Sequence, residues 1–301
     1  MKKCRLLFVA LVMTTLLNAL PLWAAAPVKI GVLAKDGPAK ALAEWKATAD
    51  YLTATLADTS FEIVPLEFSA VNEAIDTGAV EFFLVNSSMF IEAKVRFGSV
   101  PVATMVNSRQ GKATNAFGGL IVTSIDRADI NSLTDLKGKT FMAVDEASFG
   151  GWQMAYKEIL DAGIDPYQDF AKLEFGGKHE NVLLAVQNGA VDAGTVRTDT
   201  LERLVAAGTV FLDDFKVLNP LELTDFPFLT STALYPEWPL ARVAATPVEL
   251  ADRVQAALLL LTADHPAAKA AKVVGWSAPL DYSPVEELQQ TLKIGAYAQG
   301  S

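Results

Sequence analysis

The chain has 301 residues, 51% of them hydrophobic, a formal net charge of −10 and a single cysteine. That length is ample for a large core or two lobes, and one cysteine excludes a disulfide framework and a thiolate metal site. The acidic balance argues against nucleic acid or an anionic membrane as partner. A small anionic ligand stays open, because the donors of a pocket can oppose the net charge.

Lys2, Lys3 and Arg5 precede an apolar run from Leu6 to about Leu20, and Ala24, Ala25 and Ala26 follow it. Basic, then apolar, then small is the order of a secretory signal peptide, and the run is shorter than the roughly 20 residues of a comfortable membrane span. Residues 1–26 are expected to be a signal peptide removed on export to the periplasm; a retained anchor is the alternative. Cys4 lies before the apolar run, not just after it where a lipid anchor would need it. Losing the three basic residues would take the net charge from −10 to −13. No later apolar run has the length of a membrane span, so the mature form is expected not to be membrane-spanning.

Strands and helices then alternate. Val28 to Leu33 reads as a buried strand, and Pro38 to Leu56 as a helix with Leu42, Trp45, Ala49 and Leu52 on one face. Phe61 to Pro65, Glu81 to Val85 and Val100 to Val106 read as strands, with helices over Val71 to Ile75 and from Asn86 to Val95. The grammar restarts after Gly111. Strands are expected at Phe117 to Thr123, Thr140 to Val144, Leu173 to Phe175 and Val191 to Gly194. Helices are expected at Ser132 to Leu136, Gly150 to Ala162, His179 to Asn188 and Thr200 to Ala207. From Phe215 prolines multiply and extended pieces dominate, until helices over Pro247 to Thr262 and Pro266 to Val274.

Repeated β-α with short links points to parallel α/β sheets. Two blocks and a return segment suggest two lobes: residues 27–108 plus 228–301, and residues 109–219. The crossings are expected near Asn107 to Ala113 and over 220–227. One doubly wound sheet is the alternative. Ligands of such folds sit beyond the carboxyl ends of strands.

Five turns there carry candidate groups. Val144 to Trp152 is a strand end, a polar turn and paired glycines opening a helix, whose free N–H groups suit an anion. Ser148 either donates to that anion or merely caps the helix. Asn86, Ser87 and Ser88 open a second helix. Gly176 to Glu180 carries His179, which either donates to a ligand or stays an exposed cap. Thr195 to Thr200 carries Arg197, suited to an oxyanion or to a salt bridge with Asp199 or Glu202. Ala34 to Gly37 carries Asp36. Trp45, Phe90, Phe149 and Trp152 are either pocket walls or core. Metal ligation and nucleophilic catalysis are poorly supplied: there is no histidine pair at zinc spacing and no nucleophile elbow.

Asp135-Leu136-Lys137-Gly138-Lys139, Ser148-Phe149-Gly150-Gly151, Gly177-Lys178-His179-Glu180-Asn181-Val182 and Val191-Asp192-Ala193-Gly194-Thr195 stand in an order that resembles the phosphonate-binding-protein family, the periplasmic solute-binding components of importers. Ser148 to Met154, Gly163 to Tyr167, Thr195 to Glu202 and Leu234 to Pro239 also look like the periplasmic sensor domains of histidine kinases built on that fold. The resemblance implies a type 2 periplasmic binding protein, two Rossmann-like lobes joined by a two-crossing hinge. It implies an anion held by Ser148 and Gly150 and by His179, with Asp192 and Thr195 near a late-strand contact. Phe149 stands where that family has a donor, and Asn86 to Phe90 lacks a tyrosine, so another small anion or a partly apolar acid fits as well.

The expectation is a non-enzymatic receptor for a small anionic solute, without cofactor or metal. Its candidate ligand-binding residues are Asp36, Asn86, Ser87, Ser148, Phe149, Gly150, His179, Thr195 and Arg197. Its partner would be an ABC importer membrane component or a sensor kinase, and the chain ends at Ser301 either as a free-standing relative or as a sensory domain. An enzyme on the same fold would need His179 as base, and a partner-binding module would show only a shallow cleft.

Overall fold

The computed structural model describes residues 26–298, so the expected signal peptide lies, apart from Ala26, outside the described residues. The first block is β1 (Val28–Leu33), α1 (Pro38–Thr55), β2 (Phe61–Leu66), α2 (Val71–Asp76), β3 (Phe82–Leu84), α3 (Ser87–Phe97) and β4 (Val100–Arg109). After it come β5 (Lys112–Thr114), β6 (Ala116–Phe117) and β7 (Gly119–Ser124). The second block continues with β8 (Thr140–Ala143), α4 (Met154–Asp161), α5 (Pro166–Asp169), β9 (Lys172–Phe175), α6 (His179–Gln187), β10 (Ala193–Arg197), α7 (Thr200–Ala206) and β11 (Phe215–Leu218). The return segment holds β12 (Tyr235–Pro236), β13 (Pro239–Arg242), α8 (Val248–Leu259), α9 (Pro266–Ala271), β14 (Val273–Ser277) and α10 (Ser283–Leu292).

Two large sheets result, which excludes one continuous sheet. The first has the order β14-β4-β13-β3-β1-β2, with β5 on β4, and the second the order β11-β7-β10-β8-β9. β1 is parallel to both β2 and β3, and β8 to both β9 and β10. β13 runs antiparallel to β3 and to β4, so β4 points the same way as β1 and β3. β1, β2, β3 and β4 therefore deliver their carboxyl ends to one rim of the first sheet, and β8, β9 and β10 theirs to one rim of the second. The core of the first sheet extends through Phe117, Phe149 and Met154 toward the second, whose two faces carry separate clusters around Leu183 and Leu204 and around Trp152 and Ile159.

The two strands β6 and β12 pair with each other between the sheets, Tyr235 opposite Phe117. Both crossings therefore fall later than the sequence suggests. β5 keeps residues through Thr114 on the first sheet. Residues 230–232 stay with the second: Ser231 N–H donates to Gly119 O at 2.9 Å, and Ile121 N–H donates to Ser231 Oγ at 2.9 Å. The prolines at 220 and 227 mark a loop leaving β11, not a change of sheet.

Three local readings differ as well. The buried stripe of α1 runs through Ala41, Trp45, Thr48 and Leu52, and this turns Leu42 outward. β10 lies two residues beyond its expected start, because antiparallel pairing with β7 carries it on to Arg197 opposite Gly119. The last expected helix stops at Ala271, where Lys272 takes φ +55°, and Val273 opens β14.

Candidate functional site

A cavity of about 110 Å3 lies between the two sheets. Each of the five turns contributes to its lining: Lys35 and Asp36 after β1, Asn86 after β3, Ser148 to Gly150 after β8, His179 after β9, and Arg197 with Asp199 at the end of β10. Arg109 joins them from the end of β4.

The turn after β8 enters its helix through a widened first turn. Gln153 N–H donates to Ser148 O at 3.2 Å and Met154 N–H reaches Phe149 O, both five residues back. The N–H groups of residues 149–152 thus precede the first helical hydrogen bond and carry the positive end of the helix dipole. Ser148 is buried, makes no cap bond and lines the cavity, so the capping role does not account for it. Both glycines are packing requirements. A Cβ on Gly150 would lie 2.8 Å from the Phe117 ring, and one on Gly151 2.6 Å from Val144 Cγ2 and Ser148 Oγ.

His179 opens α6. Its Nδ1 accepts the Arg197 backbone N–H at 3.2 Å, so in the neutral ring the proton sits on Nε2, free to donate. Loss of solvation in the cleft, with Lys35 and Arg197 adding repulsion, pulls its pKa from 6.5 down to about 3. The imidazole is therefore a neutral donor at physiological pH.

Arg197 is held in place. Its guanidinium lies 4.3 Å from the centre of the Phe117 ring, Nη2 donates to Glu237 Oε1, and Nε donates to Asp199 Oδ1 at 3.2 Å. Glu237 is fully buried on the return segment, so this pair joins the second sheet to the chain leaving the crossing. Burial alone would depress Arg197, but Glu237 and Asp199 raise its pKa above the usual value. Asp199 also faces Arg109 at 3.7 Å and Arg203 at 4.0 Å. Arg109 is less well matched: its buried Nε has no hydrogen-bond partner among the described residues, and burial together with Arg197 lowers its pKa.

Across the cleft, Asp36 accepts from Lys35 at 2.7 Å and from Lys40 at 2.8 Å. Burial would raise the Asp36 carboxyl, but the two lysines hold it well below the usual carboxylate range. Asn86 spans the two halves. Its Nδ2 donates to Ala147 O at 3.0 Å, while its Oδ1 caps α3 by accepting from Met89 N–H.

The sequence profile described as "ABC transporter, phosphonate, periplasmic substrate-binding protein" matches residues 30–283. The chain belongs to the phosphonate-binding family of periplasmic substrate-binding proteins. It is 34% identical over 265 residues to the tetrathionate sensor histidine kinase TtrS of Salmonella typhimurium, covering 88% of this chain and 43% of that protein. The chain thus spans less than half the length of that relative. XAC2383 of Xanthomonas citri bound to ATP superposes with a TM-score of 0.71 at 18% identity, over 91% of this chain and all of the other. PhnD1 of Prochlorococcus marinus in complex with methylphosphonate superposes with a TM-score of 0.69 at 16% identity, over 88% of this chain and 98% of the other. The fold is that of type 2 periplasmic binding proteins.

Within that fold the sequence-derived candidates divide. Asp36, Asn86, Ser148, Phe149, Gly150, His179 and Arg197 line the cavity. Ser87 does not: its hydroxyl donates to Pro236 O at 2.6 Å and is fully buried. Thr195 does not either, because it sits mid-strand in β10 with its side chain buried. Asp192 is drawn to the far end of β10, where it pairs with Arg127 and accepts from Thr140 N–H. Trp45 and Phe149 are walls of the cavity, whereas Trp152 stacks on Tyr156 and Phe90 packs edge-on against Tyr282. Sequence reading missed Lys35, Arg109, Arg203 and Glu237. Lys35 was legible as the neighbour of Asp36, and Arg109 as the polar end of an apolar strand. Glu237 carries no such signal, since only the crossing places it under Arg197.

Proposed function

We propose that this chain is a periplasmic receptor that closes on a small oxyanion. The observation that carries the reading is the cleft's chemistry in a strongly acidic protein. The residues that open a helix, a buried serine that makes no cap bond, a neutral histidine and an excess of cationic side chains all line one cavity. Each is suited to oxyanion oxygens, and charge-assisted bonds of this kind are the strong ones. The reading includes no enzyme activity: a base with a pKa of about 3 is far from the range that serves proton transfer at neutral pH.

Sequence identity to a sensor kinase over most of the chain favours signalling as the output, with a sensor kinase as partner. The family match favours the second reading, delivery to an ABC importer. Both share the ligand-binding step, and the oxidised sulfur anion in the relative's name joins phosphonates as a candidate ligand class.

Thermal unfolding of the mature chain against phosphate, methylphosphonate, sulfate, thiosulfate, tetrathionate and short carboxylates tests this. A ligand at about 100 times its Kd adds about 2.7 kcal/mol, a rise of about 5–10 °C for a chain of this size. Ser148→Ala and His179→Asn should each weaken that ligand by about 1–3 kcal/mol. No shift with any anion, or unchanged affinity in both variants, would remove the assignment.

A further inference from the structure

Asn86 joins the rim of the first sheet to the anion-suited turn of the second. Its Nδ2 donates to Ala147 O at 3.0 Å, and its Oδ1 accepts from Met89 N–H at 3.0 Å, so both polar atoms of the buried amide are engaged. The donor is held from behind. Ser87 Oγ donates to Pro236 O at 2.6 Å and Gln289 Nε2 donates to Ser88 O at 2.7 Å, which fixes the start of α3 to the crossing and to α10. The acceptor belongs to a turn braced within itself. Ala147 N–H donates to Asp145 Oδ1 at 2.8 Å, Ser148 N–H to Asp145 O at 3.0 Å, and Gln153 Nε2 to Glu146 O at 2.9 Å. A pull on Ala147 O therefore carries Ser148 and the helix start behind it as one piece. Arg197 with Glu237 and Arg109 with Asp199 also join the two halves. Both are ion pairs whose arginines line the cavity, so an entering anion competes with the carboxylates for them. The bond from Asn86 to Ala147 links neutral groups and is not open to that competition.

We propose that Asn86 is a positioning residue, a latch that closes the cleft by holding the Ala147–Ser148 turn and not by contacting the ligand. The proposal rests on the receptor reading and deepens it by dividing the lining into groups that hold the anion and one that holds the cleft shut. A bond between the two rims stabilises only the arrangement in which they touch. It raises the population competent to bind, and the apparent affinity for any ligand follows that population. Loss of the bond is then felt as one common factor by ligands of different chemistry. A direct contact behaves otherwise, since its loss weakens each ligand according to the atoms that ligand presents.

Asn86→Ser is the test, because serine caps a helix as asparagine does but is too short to reach across the cleft. The Tm of the chain without probe is expected to stay close to the parent's. Isothermal titration with methylphosphonate and with tetrathionate should show both weakened by the same factor, about two- to tenfold, the worth of one neutral hydrogen bond. Residues 27–301 contain no cysteine, so nitroxide labels at Lys46→Cys on α1 and Lys137→Cys just ahead of β8, both exposed positions, report the separation of the two halves. Asn86→Ser should move that distance distribution to longer values, with or without probe. Asn86→Asp keeps the cap and the size but has no donor, and its distances should lengthen likewise should Asn86→Ser fail to fold. Unequal losses for the two probes, unchanged affinity for both, or an unchanged distance distribution would overturn the latch while leaving the receptor reading in place. Absence of binding by both probes would count against the receptor reading, and the distance distribution would still decide the latch.

Discussion

Glu237→Gln is the most direct probe of how the cleft is held. The carboxylate is fully buried, and its partner Arg197 is buried with it. Removing one member of such a pair leaves a buried charge uncompensated, at a cost of about 3–5 kcal/mol. Gln keeps the size of the side chain, and Arg197 retains Asp199 at 3.2 Å, so the low end, about 3 kcal/mol, is expected. Calorimetry of the ligand-free protein should show Tm falling by about 6–12 °C. Arg197→Met placed on top of Glu237→Gln removes the orphaned charge, so the double variant should be more stable than the two single losses predict, by more than about 1 kcal/mol. A loss below about 1 kcal/mol, or additive effects, would refute the view that this ion pair anchors the crossing.

Two further perturbations follow from the same geometry. Gly150→Ala drives a methyl group into Phe117 at 2.8 Å and against Arg197 Cβ at 3.2 Å; it should destabilise by about 1–3 kcal/mol and weaken anion binding, read by denaturation and titration together. His179 has a folded pKa of about 3 against about 6.5 when unfolded, so the unfolded chain alone takes up the proton as pH falls through that window and stability is lost. Between pH 6.5 and pH 5 the loss should be about 1–2 kcal/mol in the parent and absent in His179→Asn, measured by urea denaturation at each pH; parallel curves would contradict a neutral, desolvated histidine.

The rim of the cleft was legible because parallel β-α units announce their strand ends locally. A β-branched run closed by a polar or glycine turn places Asp36, Asn86, Ser148 and His179 at one rim without knowledge of what faces them. Misplacement arose where pairing, not local pattern, decides. β10 is extended by β7, which lies some seventy residues earlier, and this moved Thr195 from an expected turn into the middle of a strand. The crossings were misjudged for a similar reason: prolines at 220 and 227 look like a boundary, yet Ser231 N–H donates to Gly119 O and Ser231 Oγ accepts from Ile121 N–H, which holds that stretch on the second sheet. The ion-pair cluster of the cleft is a purely tertiary fact, since Arg109, Arg197 and Glu237 come together only after both crossings are made.

Arg197 is ordered by the protein's own contacts. Phe117 supports its face, Glu237 and Asp199 hold its edge, and its own backbone N–H fixes the ring of His179. A ligand meeting such a group does not bear the cost of immobilising a long side chain, about 0.5–1.5 kcal/mol each. The anchoring also extends outward. Glu237 O accepts from Tyr282 Oη at 2.7 Å, Tyr282 lies just ahead of α10, and Gln289 on that helix donates to Ser88 O at the start of α3. Both halves of the lining, Asn86 at the N-cap of α3 and Arg197 through Glu237, are therefore tied by buried hydrogen bonds to one C-terminal helix and the residue that precedes it. Any rearrangement of the cleft that shifts Glu237 relative to α3 must strain or break one of these two ties, because neither buried donor can turn to water instead.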